Sequence, residues 1–262
     1  MRQAPGSVNL VEIFSSIQGE GPHVGETTLF VRFGACDLRC RWCDSPHTWR
    51  PAATCRIETA RGAGTFTTRD NPVPIAAALD ATDALGVGRH RFASLTGGEP
   101  LLQPEAVLAL AAGLRDAGTA IYLETHGVAV EALEQVVDAV DVVSMDWKLA
   151  SDVRRESDPR HGPVSDFHAR HEAFLRVART APETFVKVVV TRSTRDAELD
   201  AMADAVAKVD PATPIVVQPV TPSGPVREAP DAARLLSMVT RLSERLASVR
   251  LIPQTHKLYG AP

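Results

Sequence analysis

Cys36, Cys40 and Cys43 fall in one run of eight residues, Cys-Asp-Leu-Arg-Cys-Arg-Trp-Cys, and Asp44 and Ser45 follow. Three thiolates at gaps of three and two residues suit a short loop wrapped around one soft metal centre, not a helix or a strand. Iron–sulfur cubanes are usually held by four cysteines. With three, one iron keeps a position for another ligand, much as catalytic zinc stays open where structural zinc is closed. A second reading stands beside this one. Cys40 and Cys43 form a CxxC pair, Cys55 lies downstream, and four cysteines can close a structural zinc site. A disulfide pair fits less well. The start MRQAPGSVNL lacks the apolar core of a secretory signal, and free thiols point to reducing cytosol.

Further segments carry the residue types of a binding site. They are Ser16-Ile-Gln-Gly-Glu-Gly-Pro22, Thr96-Gly-Gly-Glu-Pro100, Glu124-Thr-His-Gly127, Ser144-Met-Asp-Trp-Lys148 and Gln218-Pro-Val-Thr221. Arg32 adds a charge to the otherwise apolar run Leu29–Phe33. Such a charge is seldom buried without a partner, and a guanidinium fits a carboxylate through two parallel bonds. Gly97 and Gly98 permit close backbone approach to a ligand, and the Glu99 carboxylate suits an ammonium. A plain strand-to-helix turn would use the same three residues.

The elements that must position these groups alternate. Strands are expected at Asn9–Phe14, Leu29–Phe33, Arg91–Leu95, Ala120–Glu124, Val140–Met145, Phe185–Thr191, Ile215–Gln218 and Val249–Ile252. Helices are expected at Val73–Leu85, Pro104–Ala117, Val130–Ala139, Ser165–Thr180, Asp196–Val209 and Ala229–Ala247. Pro104 suits a first helical turn and Gly118 a helix stop. Short buried strands between amphipathic helices imply parallel βαβ units, hence a doubly wound sheet or a barrel. The polar segments after the Leu29–Phe33 strand fall at carboxyl ends of strands, which in a barrel converge on one face. Residues 50–71 and 154–163 mix Pro, Gly, Thr and charges and read as a loop or insertion and a polar excursion.

A chain of 262 residues fits one α/β domain, 1–262. The net charge of -4 gives no support to general nucleic-acid binding. No apolar run approaches the roughly 18 residues of a membrane span, and free thiols with no export signal give the expectation of a cytoplasmic protein.

The cysteine spacing resembles the signature of radical S-adenosylmethionine (SAM) enzymes. Within them the chain resembles the 7-carboxy-7-deazaguanine synthases of queuosine and 7-deazapurine biosynthesis. The likeness rests on residues 16–22, Arg32-Phe-Gly-Ala-Cys36, the triad with Trp42, Asp44 and Ser45, residues 96–100, and the tail Gln254-Thr-His-Lys257. It implies an α/β fold, an incomplete (βα) TIM-like barrel, and a homodimer supplied with electrons by a donor such as flavodoxin or ferredoxin. It further implies conversion of 6-carboxy-5,6,7,8-tetrahydropterin to 7-carboxy-7-deazaguanine with loss of ammonia. A [4Fe-4S] cluster on Cys36, Cys40 and Cys43 would split SAM, and the resulting 5′-deoxyadenosyl radical would take hydrogen from the pterin.

The same likeness distributes the remaining roles. Gly97, Gly98 and Glu99 would receive the amino end of SAM, and Ser144, Asp146 and Lys148 would line its ribose and methionine end. Many relatives have Ser-Pro-Lys there, so the register is open by two residues, and Asp146 could simply pair with Lys148. Gln218, Pro219, Val220 and Thr221 would meet the adenine. Ile17, Gln18, Gly19, Arg32 and Thr96 would bind substrate. Ser45, where many relatives have Thr, would support Mg²⁺; a turn or cap role is the alternative. Pro262 would offer its terminal carboxylate to the pterin's amino and ring N–H groups. Cys55 reads as a structural thiol. A radical SAM activase acting on a protein glycine and a zinc-binding interaction module are the competing functions.

Overall fold

The computed structural model describes residues 6–159, 164–258 and 260. Pro262, with its expected substrate contact, lies outside them. The main sheet contains β1 (Leu10–Ile17), β2 (Thr27–Phe33), β3 (Thr54–Glu58), β4 (Phe66–Asp70), β5 (Phe92–Gly97), β6 (Ala120–Thr125), β7 (Val142–Asp146), β8 (Glu183–Val190), β9 (Ile215–Pro219) and β10 (Val249–Leu251). The helices are α1 (Ile75–Ala84), α2 (Pro104–Asp116), α3 (Val130–Val136), α4 (His168–Ala178), α5 (Asp196–Val209) and α6 (Ala232–Ser243).

The strand order is β10-β9-β8-β7-β6-β5-β2-β1-β3-β4. The run from β2 through β5 to β10 is parallel throughout, as the strand–helix alternation predicts. Strand β1 turns back antiparallel to β2. The order ends at β10 on one side and β4 on the other, which leaves the barrel incomplete.

Local sequence explains these elements. Strand β8, Glu-Thr-Phe-Val-Lys-Val-Val-Val, is β-branched and buried from its second residue on, as a strand covered on both faces should be. Helix α2 buries Ala106, Val107, Leu110, Ala111 and Leu114. Their spacing of one, three, one and three makes a single helical face. Full burial of a residue such as Leu110 is worth about 1.5–3 kcal/mol, and a charge there would break the seat of α2. Pro104 opens α2, and Gly118 just past its end has φ +85°. Under the amino-terminal strand ends, Phe92, Tyr122, Val142, Phe185 and Val216 form a separate cluster. His23 packs edge-on to Phe92 with ring centres 4.7 Å apart.

Two stretches depart from expectation. Residues 50–71 are not mainly loop: β3 and β4 form an antiparallel hairpin, and β3 pairs with β1. Cys55 and Ile57 point into the core while Thr54 and Arg56 are exposed, a short alternation hidden by flanking Pro and Gly. The excursion after residue 152 includes a strand, Val153–Arg155, that pairs with Leu38–Cys40. Thus the middle of the cysteine motif is partly extended, because its backbone is held by this second strand.

Candidate active site

The cysteine loop leaves β2 through Ala35, whose φ of 74° is left-handed. Surrounding bonds fix that conformation: Ala35 N donates to Arg50 O at 3.4 Å and Ala35 O accepts from Glu99 N at 2.8 Å. Cys36 N donates to Trp49 O, and Cys43 N closes a turn onto Cys40 O. Burial, foremost, pushes the Cys36 thiol up to about 12 and the Cys40 thiol to about 11, and it raises Cys43 as well. Burial alone therefore favours the neutral thiols, and a cationic metal centre would draw their protons off. Three cysteine sulfurs on the wall of one cavity are the donor set of an iron–sulfur cluster with one open iron. Among the described residues, no three His, Cys, Asp or Glu side chains converge as a single metal ion requires. A cubane, whose ligands bind different irons, does not require that. Cys55 is fully buried in the main core on β3, off the wall of the cavity that the triad lines.

That cavity, about 330 Å³, opens at the carboxyl ends of the parallel strands. Its wall includes Cys36, Cys40, Cys43 and Ser45; Gly97 and Gly98; Ser144, Asp146 and Lys148; Gln218, Val220 and Thr221; and Ile17, Gln18, Gly19, Arg32 and Thr96. Glu99 and Pro219 are not on it. Pro219 ends β9 one residue after Gln218, so it faces the other way. Glu99 is wholly buried. Its Oε1 accepts from Thr125 Oγ1 at 2.8 Å and Leu101 N at 3.0 Å, and its Oε2 from His126 N at 2.8 Å. The carboxylate expected to meet an ammonium ligand instead fastens two strand ends together.

Gly97 and Gly98 have a local reason to be glycine. Gly97 sits at φ +119°, and a Cβ there would strike the backbone of Phe33; at Gly98 it would strike Ala35 O. The strand end is thus pressed against the root of the cysteine loop.

On the first-strand side, the register shift between Leu10 and Glu12 sets Glu12 opposite Arg32. Arg32 Nε donates to Glu12 Oε1 at 2.8 Å and Arg56 Nη2 to Oε2 at 2.5 Å. Burial opposes the charge on Glu12, yet the two guanidiniums hold its carboxyl below the ordinary range. Glu124 collects Gln18 Nε2 at 3.1 Å, Ser94 Oγ at 2.7 Å and Thr96 Oγ1 at 3.1 Å.

A row of alternating charges crosses the cavity. Gln254 Nε2 donates to Glu20 Oε1 at 2.7 Å. Lys187 binds the other Glu20 oxygen and lies 3.6 Å from Asp146 Oδ2. Lys148 Nζ donates to that same Asp146 oxygen at 2.7 Å and stands 4.6 Å from the centre of the Trp42 ring. Burial works against the Glu20 charge, but Lys187 overcomes it and draws the carboxyl down to about 2. Asp146 and Lys148 therefore form the structural pair the sequence allowed, while both still face the cavity. Gln218 Oε1, Asp146 Oδ1 and Trp42 Nε1 are buried without hydrogen-bond partners on this wall. Such groups suit a polar ligand, because buried polar atoms left unpaired are costly.

Sequence reasoning passed over Lys187 and Glu12. The signal was the one that exposed Arg32: a single charge inside an apolar strand. Ser45 Oγ donates to Asp44 Oδ1 at 3.1 Å, and its side chain does not cap the short helix Pro46–Trp49. The tail closes the open side of the barrel. Thr255 N donates to Gly19 O at 2.9 Å, the His256 ring sits where a Gly19 Cβ would be, and Lys257 Nζ lies 3.5 Å from Asp44 Oδ2.

The Radical SAM superfamily profile matches residues 30–206. A 7-carboxy-7-deazaguanine synthase from Geobacter sulfurreducens is 36% identical over 98% of this chain and 98% of its own length. One from Methanopyrus kandleri is 33% identical over 98% and 95%. The crystal structure of QueE from Escherichia coli shares the fold with a TM-score of 0.58 at 22% identity, covering 95% of this chain and 94% of that one.

Proposed function

Because the chain belongs to the radical SAM superfamily and, within it, to the 7-carboxy-7-deazaguanine synthase family, we propose that it converts 6-carboxy-5,6,7,8-tetrahydropterin to 7-carboxy-7-deazaguanine with release of ammonia. The observation that carries this reading is the shared cavity: the cysteine triad, the Gly97–Gly98 turn, Gln218 and the charged Arg32 all line it.

Cys36, Cys40 and Cys43 hold the [4Fe-4S] cluster. Gly97 and Gly98, Ser144, Asp146 and Lys148, and Gln218, Val220 and Thr221 hold SAM. Bound together, cluster and SAM supply hydrogen abstraction by one-electron chemistry. The protein's own work is to place one C–H bond of the substrate against the cofactor and keep water out.

Glu12 fixes the Arg32 guanidinium from one side, which prepares Arg32 to bind the pterin carboxylate. Thr96, Ile17, Gln18 and Gly19 meet the ring edge with hydroxyl, amide and backbone groups. Glu20, kept ionised by Lys187, adds an acceptor for ring N–H groups. Ser45 would supply a hard oxygen to Mg²⁺, and the ion would offer positive charge for the substrate carboxylate beside that of Arg32.

The chain acts as one domain, 1–262, supported by the continuous sheet. Family resemblance supports a homodimer and a flavodoxin- or ferredoxin-type donor. No helix among the described residues is long and apolar enough to cross a membrane. Four unpaired cysteines support a reducing, cytoplasmic setting.

Equilibrium binding to the cluster-loaded, SAM-bound protein tests the substrate assignment. The 6-carboxy pterin should bind, and the analogue lacking the carboxylate should bind at least tenfold more weakly, given about 1.5–3 kcal/mol for a charge-assisted bond. Equal affinity would remove the carboxylate from recognition.

A further inference from the structure

The cysteine loop is tied to the barrel by a side-chain bridge. Asp37 lies between Cys36 and Cys40, and its Oδ1 is 2.8 Å from His126 Nε2. The partner decides which way this bond runs: an ionised carboxylate only accepts, so Nε2–H donates to Asp37, while Nδ1 lies 3.2 Å from both Val128 N and Glu99 Oε2. His126 is itself held from beneath, since its backbone N donates to the wholly buried Glu99. Glu99 in turn is locked by Thr125 and Leu101. The bridge thus runs from the core through Glu99 and His126 to Asp37. Asp37 has a looser side-chain contact as well, Arg155 Nη1 at 3.8 Å from Oδ2, beyond hydrogen-bond reach. The His126 side chain is 5% exposed and shares the cavity wall with Cys36.

On the reading that Cys36, Cys40 and Cys43 hold the cluster, we propose that His126 is a positioning residue: its Nε2–H fixes Asp37, and through Asp37 it secures the Cys36–Cys40 segment and raises the cluster's reduction potential. Partners just outside a metal's ligands orient those ligands, and cluster potentials follow nearby charge, hydrogen bonds and solvent exposure. Reduction adds negative charge to the cluster. An unsatisfied Asp37 carboxylate opposes that addition, and the His126 N–H draws off part of its charge.

The test compares anaerobically reconstituted wild type, His126→Ala, His126→Gln and Asp37→Asn. Iron and sulfide per chain, loss of iron to a chelator, redox titration, the paramagnetic resonance spectrum of the reduced cluster and thermal unfolding are measured on each. His126→Ala should hold iron about 10- to 100-fold less tightly and titrate at lower potential. His126→Gln, which keeps an N–H donor, should recover both properties at least in part. Asp37→Asn should titrate at higher potential than wild type, a readout that survives if His126→Ala fails to fold. Wild-type potential, spectrum and iron retention in His126→Ala would overturn the proposal, as would a lower potential in Asp37→Asn. Equal losses in the Ala and Gln variants, matched by equal loss of thermal stability, would reduce His126 to a packing residue and also overturn it. A wild type that takes up no cluster would instead defeat the cysteine assignment on which the proposal rests.

Discussion

Replacing Lys187 with methionine keeps the length of the side chain and removes one charge from the middle of the row Glu20–Lys187–Asp146–Lys148. Lys187 has only 9% of its side chain exposed and Glu20 18%, so little water is at hand to replace the lost partner. In wild type the Glu20 carboxyl sits at about 2 against an ordinary 4.5, which corresponds to roughly 3 kcal/mol. Breaking a buried pair by removing one partner costs about 3–5 kcal/mol, a matching magnitude. The direction with pH is distinctive. A carboxyl depressed on folding contributes stability above its unfolded pKa, and this is lost as pH falls from about 4.5 towards 2. In Lys187→Met burial acts with less opposition, so the folded pKa of Glu20 rises above the unfolded value. Stability is then lost as pH climbs from about 4.5 through that raised pKa. Anaerobic urea unfolding between about pH 5 and 8 reads both effects. Wild type should show no loss from Glu20 in this window, while Lys187→Met should be about 3 kcal/mol weaker at pH 7 and weaken further with rising pH. A variant within about 0.5 kcal/mol of wild type at pH 7, with the same pH slope, would refute the reasoning.

Other substitutions probe the rest of the site. Cys36→Ala, Cys40→Ala and Cys43→Ala should each abolish SAM cleavage, while Cys55→Ala, in the core, should retain it; cluster loss in Cys55→Ala equal to that in the triad variants would sink the three-ligand assignment. Arg32→Lys should weaken substrate binding roughly ten- to a hundredfold despite keeping the charge, since lysine lacks the planar fork, and unchanged affinity with SAM present would exclude a bidentate contact. Ser45→Ala should blunt stimulation of turnover by Mg²⁺ in chelator-treated enzyme, and an identical titration in both proteins would remove Ser45 from the metal. Ala35→Gly should raise unfolding stability by up to about 1 kcal/mol by relieving a left-handed alanine; a clear loss in denaturant unfolding would show that φ of 74° costs nothing there.

The parallel βαβ architecture could be read from sequence because β-branched runs such as β8 alternate with helical faces such as that of α2, each period enforced by burial; the choice of a barrel over a doubly wound sheet came from the family likeness. The polar segments at strand ends were legible for a similar reason, since strand carboxyl ends meet on one side of a barrel. What escaped had a physical cause. Strand β1 continues past Phe14 to Ile17, because Ser15 and Ser16 pair with Leu29 and Thr28 although their side chains give no hydrophobic signal. The hairpin of β3 and β4 buries too few residues to stand out among Pro, Gly and Thr. Lys187 and Glu12 were hidden because a barrel interior lined with paired charges breaks the equation of strand with apolar. Glu99 shows the reverse: a carboxylate in a segment expected to bind a ligand can be consumed by the protein's own strand ends, and no spacing rule reports that.

The most direct measurement is turnover by the reconstituted enzyme. Cluster-loaded protein, SAM, Mg²⁺ and a chemical reductant are incubated anaerobically with 6-carboxy-5,6,7,8-tetrahydropterin, and products are identified by mass. The account predicts 7-carboxy-7-deazaguanine and ammonia in equal amounts, dependent on SAM and lost in Cys40→Ala. Unchanged pterin from an enzyme that carries a full cluster and cleaves SAM would contradict it.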